Sequence, residues 1–156
     1  MELTLPRQTM YDGELMRYVH ILSIPDFRGV KMRDELPAKP LDEECGILNF
    51  NTHLQQGSHW ICWYKKQNDR YYFDSFGEPP PLEMLRYLKT DAELKSNSPV
   101  IKRSAVTVQH DAANECGSLC LYMLKMLTND APFSHVLEIL MERYEKLPTP
   151  PLTIRV

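Results

Sequence analysis

The chain has no apolar run approaching the ~20 residues that a bilayer-spanning helix needs, so a transmembrane helix is excluded. Its first residues, Met1-Glu2-Leu3-Thr4-Leu5-Pro6-Arg7, lack the basic start and apolar core of a signal peptide. The expected setting is therefore inside a cell, where Cys45, Cys62, Cys116 and Cys120 should be mainly reduced, and their even number is no evidence for two disulfides. Paired Cys-x2-Cys units, the usual framework of structural zinc, are missing as well. Only Cys116-x3-Cys120 comes near that spacing, on a segment whose apolar partners want burial, so no metal site is expected. There is no internal repeat and no low-complexity tract. An excess of positive charge is absent too: the formal net charge of -3 argues against indiscriminate binding to nucleic acid, although Lys95 with Lys102 and Arg103 makes a local patch able to meet a phosphate backbone.

What is present is the composition of a globular protein. Of 156 residues, 43% are hydrophobic and 25% charged, which suffices for a continuous core in one domain spanning 1–156, with no disulfide support needed. The 12 prolines point to many turns and extended connections.

Leu15, Tyr18, Val19 and Leu22 follow helical spacing, with Tyr11-Asp12-Gly13 just before the start and Pro25 as the stop. Residues 27–37, interrupted by Gly29 and Pro37, read as a connecting segment crossing the surface. Three strands are predicted over 46–51, 59–66 and 70–76, the last two forming a hairpin around Gln67-Asn68-Asp69. A helix from about Pro81 to Lys89 follows, with Pro81 at its first position. Val100-Ile101 and residues 105–109 then make one or two further strands, the stretch Val106-Thr107-Val108 delivering Gln109. From Cys116 to about Met126-Leu127 the chain is apolar nearly all round, the mark of a buried central helix that Asn129-Asp130 ends. Ser134 should cap a last amphipathic helix with Glu138, Glu142, Arg143 and Lys146 facing water, closed by Pro148. The tail 149–156 reads either as extended against the body or as mobile. The fold class is α+β, a central mixed sheet flanked by helices.

Four residues supply the parts of a cysteine hydrolase. A thiol attacks a carbonyl usefully only as thiolate, so it needs an imidazole, a carboxylate to orient that imidazole, and donors for the oxyanion. Cys116 begins the central helix, where unpaired backbone N–H groups favour thiolate, and is the candidate nucleophile. His59 is the candidate base and Asp74, fifteen residues on, the orienting acid, placed together at one end of the hairpin. Gln109 is the candidate side-chain donor to the oxyanion. Glu44-Cys45-Gly46 repeats Glu115-Cys116-Gly117 but precedes a strand, so helix-end activation is missing there. Cys62 and Cys120 read as core. His20 and His135 read as structural or solvent-facing, and His53, in the polar loop 51–58, as a neighbour of a substrate groove. His110 rivals His59 because it adjoins Gln109, while Asp69 and Asp111 are substitutes for Asp74.

The order His, Asp, Gln, Cys differs from that of papain, in which Cys comes first. Both the order and the wording resemble the adenovirus protease, or adenain, family. The resemblance covers most of the chain, through Phe27-Arg28-Gly29-Val30, Arg33-Asp34-Glu35-Leu36-Pro37, Glu44-Cys45-Gly46-Ile47-Leu48-Asn49, His59-Trp60, Tyr72-Phe73-Asp74-Ser75-Phe76-Gly77, Gln109 and Cys116-Gly117. It looks most like the proteases of Polinton (Maverick) elements and related animal DNA viruses, which share a papain-like fold with the proteases that release SUMO and other ubiquitin-like proteins. The resemblance implies a cysteine endopeptidase with a Cys-His-Asp triad that matures capsid and core proteins. It also implies that Trp60 helps form a narrow tunnel admitting only Gly beside the scissile bond, hence cleavage after Gly-Gly or Gly-X. Trp60 and Gly117 are accordingly the expected substrate contacts.

Polypeptides with Gly-containing sites, including ubiquitin or ubiquitin-like proteins, are the implied partners. No cofactor is required by the sequence; by resemblance, a viral peptide or DNA is a candidate activator. A monomer with no membrane partner is expected, in the host nucleus or cytoplasm and in the virion. Three alternatives keep the same residues: a deubiquitinating or deSUMOylating enzyme, an acetyltransferase dependent on acetyl-CoA, and a non-catalytic binding module.

Overall fold

The computed structural model describes residues 1–51, 59–95, 100–111 and 113–156. The first strand, β1 (Glu2–Thr4), is followed by helix α1 (Asp12–Ile21) and by strands β2 (Phe27–Met32), β3 (Glu43–Asn49), β4 (Trp60–Lys66) and β5 (Asp69–Phe73). Helices α2 (Leu82–Leu88) and α3 (Asp91–Leu94) lead to the two-residue strand β6 (Lys102–Arg103), then to helices α4 (Cys116–Thr128) and α5 (Phe133–Glu145) and the last strand, β7 (Thr153–Arg155). Five strands form a mixed sheet in the order β2-β3-β4-β5-β6, with β2 parallel to β3, β5 parallel to β6, and antiparallel pairs between. A separate antiparallel pair joins β1 to β7.

Strand β4 explains the architecture. Trp60 and Cys62 point to one face, where α4 supplies Leu119, Cys120, Met123 and Leu124 and where α1 and α5 complete the main core. Ile61 and Trp63 point to the other face, under Met84, Tyr87 and Leu88 of α2. A strand covered on both sides carries an unbroken apolar run rather than an alternating one. Gly46 lies opposite Trp63 in the β3–β4 register, and a Cβ there would stand 2.2 Å from the indole. The indole therefore fits against β3 only because that residue has no side chain.

Several expectations need correction. Residues 27–32 are an edge strand, not a surface connection; the stretch is half-buried throughout and shifts register between Phe27 and Val30, so no two-residue alternation is visible. Residues 105–109 form no strand: Val108 donates to the Ser75 carbonyl at 2.8 Å, beyond the end of β5, instead of entering a ladder. Pro132, not Ser134, occupies the N-cap of α5, and its carbonyl accepts from Val136 N at 3.1 Å. Pro81 is likewise the N-cap of α2 rather than its first residue. Arg143, expected in water, is buried. The tail is extended and ordered, with Leu152 and Ile154 buried in the main core. No helix among the described residues is long and apolar enough to cross a membrane.

Candidate active site

Antiparallel pairing of β4 with β5 in the register Cys62↔Phe73 brings the residue just before β4 and the residue just after β5 to the same end of the sheet. These are His59 and Asp74, and His59 Nε2 lies 2.8 Å from Asp74 Oδ1. Asp74 is only 1% exposed. Its carboxylate is fixed by the Phe76 N–H, which donates to the same Oδ1 at 2.8 Å, and its backbone is bonded on both sides to the Ser104 hydroxyl. A turn closes when Gly77 N donates to the Asp74 carbonyl. Gly77 holds φ +74°, and a Cβ there would sit 2.8 Å from Val106 N, so both conformation and space call for glycine. Phe76 tilts against the imidazole with ring centroids 5.0 Å apart, and Phe50 stands 6.4 Å away on another side.

Asp74 engages Nε2 of the ring, and Cys116, the first residue of α4, interacts with the same imidazole and raises its pKa. Cys116 is buried, 5% exposed, and its sulfur also receives the backbone N–H of Trp60 at 3.5 Å. Burial alone would lower the His59 pKa. The hydrogen bonds to Asp74 and Cys116 and the negative charge of both outweigh it, raising the imidazole from 6.5 to about 9.

Gln109 is 4% exposed. Its Oε1 accepts from the Ser75 hydroxyl at 2.6 Å and its Nε2 donates to the Ala113 carbonyl. One of the two Nε2 hydrogens is thereby used and the other is left for a further acceptor. Ser75, adjacent to Asp74, thus orients the amide.

Trp60 is 7% exposed, with its indole N–H donating to the Met10 carbonyl at 2.8 Å. Beyond it lies a cavity of about 240 Å³ that it lines with Met10, Tyr11, Val30 and Met32. Gly117 is buried, and a Cβ there would meet Leu15 and Met10 at 3.1 Å and Trp60 at 3.4 Å. The space beside its Cα is filled by packed side chains. His110 stacks on Tyr144 at 4.2 Å and bonds its carbonyl, which commits this rival imidazole elsewhere. His135 is largely exposed on α5. Cys45 lies within β3, where burial pushes its thiol far up, and Cys62 and Cys120 are buried in the core. His53 lies outside the described residues. Among the described residues, no three of His, Cys, Asp or Glu are grouped to hold a metal ion.

Sequence reasoning missed one network. Glu115, the N-cap of α4 and neighbour of Cys116, is 7% exposed and bonds to Arg143 Nη2, with Arg7 Nε 3.4 Å from its other oxygen. Arg143 Nε also donates to the Pro150 carbonyl at 2.8 Å. A signal existed: Phe133, Val136, Leu140 and Arg143 share one helical stripe of α5, so Arg143 belongs to the buried face.

The arrangement has the fold of SUMO-protease-like cysteine proteases, an α+β domain with a mixed sheet and a central helix. ASFV pS273R protease superposes with a TM-score of 0.52 at 15% identity, over 92% of this chain and 70% of that one. The SUMO protease Ulp1, in a structure with its catalytic cysteine oxidised to a sulfonic acid, gives 0.50 at 16% identity, over 87% of this chain and 74% of that one. No family model matches the chain, and no curated protein matches it.

Proposed function

We propose that this protein is a cysteine endopeptidase in which Cys116 is the nucleophile, His59 the proton carrier, Asp74 the orienting carboxylate and Gln109 an oxyanion donor. The observation that carries this reading is the pair Asp74 and His59, bonded at 2.8 Å, with Cys116 acting on the same imidazole from the N-terminus of a buried helix. The Cys116 sulfur attacks the scissile carbonyl, and the resulting oxyanion takes N–H donors, among them the free Gln109 hydrogen. The imidazolium of His59 passes its proton to the leaving amine as the C–N bond breaks, leaving a thioester. Water then attacks, with neutral His59 taking its proton, so that the acid is released and the Cys116 thiolate and His59 imidazolium are restored.

The substrates are polypeptides with Gly beside the scissile bond, including the tails of ubiquitin-like proteins, and the adenain-like wording of the sequence supports a role in maturing capsid and core proteins. On that reading the enzyme works as a monomer in the host nucleus or cytoplasm and in the virion, with a viral peptide or DNA as activator.

The test is labelling by a ubiquitin-like probe and a peptide probe, each carrying a thiol-reactive group after Gly-Gly, followed by mass spectrometry. Adduct on Cys116 that disappears in His59→Ala and persists in Cys45→Ala is the expected result. Adduct on Cys45 would overturn the assignment.

A further inference from the structure

On the α2 face of the sheet, the apolar centre formed by Ile61 and Trp63 gives way to charge at the hairpin end, where the same alternation places Lys65 and Arg70. These two cations are direct cross-strand partners, an arrangement that destabilises a sheet unless something offsets it. Here Lys65 and Arg70, with Lys39, Arg86 and Lys89, line a cavity of about 460 Å³, and among the described residues no carboxylate lines it. Glu93 engages Arg70 Nη1 through both oxygens, and among the described residues the Lys65 ammonium reaches the Leu41 and Asp42 carbonyls. Arg70 is 10% exposed, and its Nε is a fully buried donor with no hydrogen-bond partner. Five cations therefore line one concavity, in a chain whose net charge is -3.

We propose that this cavity is a binding site for a compact anion carrying several phosphates. Its volume falls within the ~300–1,000 Å³ of small-molecule sites. Arginine forks and lysine point charges are the side chains that take phosphate oxygens. A nucleic-acid backbone fits less well: the cations ring a hollow instead of following a stripe, and the negative whole-molecule charge opposes a long polyanion. The site lies at the opposite end of the β4–β5 hairpin from His59 and Asp74, and it joins that hairpin to the α2–α3 junction through Lys89 and Thr90. An occupant would thus tie α2 and α3 to the sheet without touching the thiol.

The experiment is isothermal titration calorimetry with inorganic tripolyphosphate near physiological ionic strength, with parallel titrations of a nucleoside triphosphate and inositol hexakisphosphate to identify the carrier of the phosphates. The expected result is saturable one-to-one binding, weakened about tenfold or more in Arg86→Gln/Lys89→Gln, whose side chains are not part of the Glu93 pair. Arg17→Gln, which removes the same kind of charge from exposed α1, should leave the affinity unchanged. Far-ultraviolet circular dichroism establishes that each variant is folded, and the Cys116 probe labels all of them alike if the two sites are independent. Absence of saturable binding would overturn the proposal. So would equal weakening by Arg17→Gln, or tighter binding of duplex DNA that ignores Arg86 and Lys89.

Discussion

A His59 that holds its proton up to about pH 9 sets how turnover responds to base. The form that transfers a proton to the leaving amine is the imidazolium, so kcat/KM should fall as pH rises through about 9. In Asp74→Asn the hydrogen-bonding anion is gone, and the alkaline limb of the pH profile should move down toward the ordinary imidazole value of 6.5. An unmoved limb would mean that another group governs it. The same shift enters folding. Because the folded-state pKa is the raised one, the stabilisation from His59 is fully present below about 6.5 and is lost as pH rises toward 9. Gln109→Ala should lower kcat by about 10²–10³ if the amide meets the oxyanion. Ser75→Ala, which loosens the amide without deleting it, should cost less, and steady-state rates on one Gly-Gly peptide would rank the pair. The strand expected before Gln109 does not form, whereas Asp74, which directly follows β5, was legible in the sequence. Ser75 was not, since its role depends on a partner 34 positions away.

At the scale of elements, the N-terminus of α4 is held by an ion pair drawn from α5. Removing one member of a buried pair strands the other charge, at a cost of about 3–5 kcal/mol. Glu115→Gln or Arg143→Met should each lower stability by roughly that amount in urea unfolding. The double variant should recover much of it, a pattern that an exposed pair would not produce. Helices α1, α2, α4 and α5 could be read from the sequence to within a residue or two because their apolar stripes are long and their stops clear. The edge elements could not. Strand β2 is half-buried at every position, β6 is two residues long, and β1 and β7 exist only because residues about 150 positions apart find one another. Local pattern carries no trace of such pairing.

For the molecule as a whole, the main core depends on both chain ends. Leu5 reaches it from the side of β1, and Leu152 and Ile154 from the side of β7. Ile154→Ala should therefore cost about 2–5 kcal/mol, the range of fully packed aliphatic side chains, although it lies next to the last residues. A loss below ~0.5 kcal/mol, typical of surface sites, would show that the strand pair contributes little. The pairing extends to the ends of the chain: Val156 N donates to the Met1 carbonyl at 2.9 Å. Topologically the chain is close to a ring, with Met1 and Val156 meeting at one seam. A short linker across that seam, with new ends opened at the exposed Gln67-Asn68 turn, should give a circular permutant with the same sheet order and the same His59 to Asp74 distance.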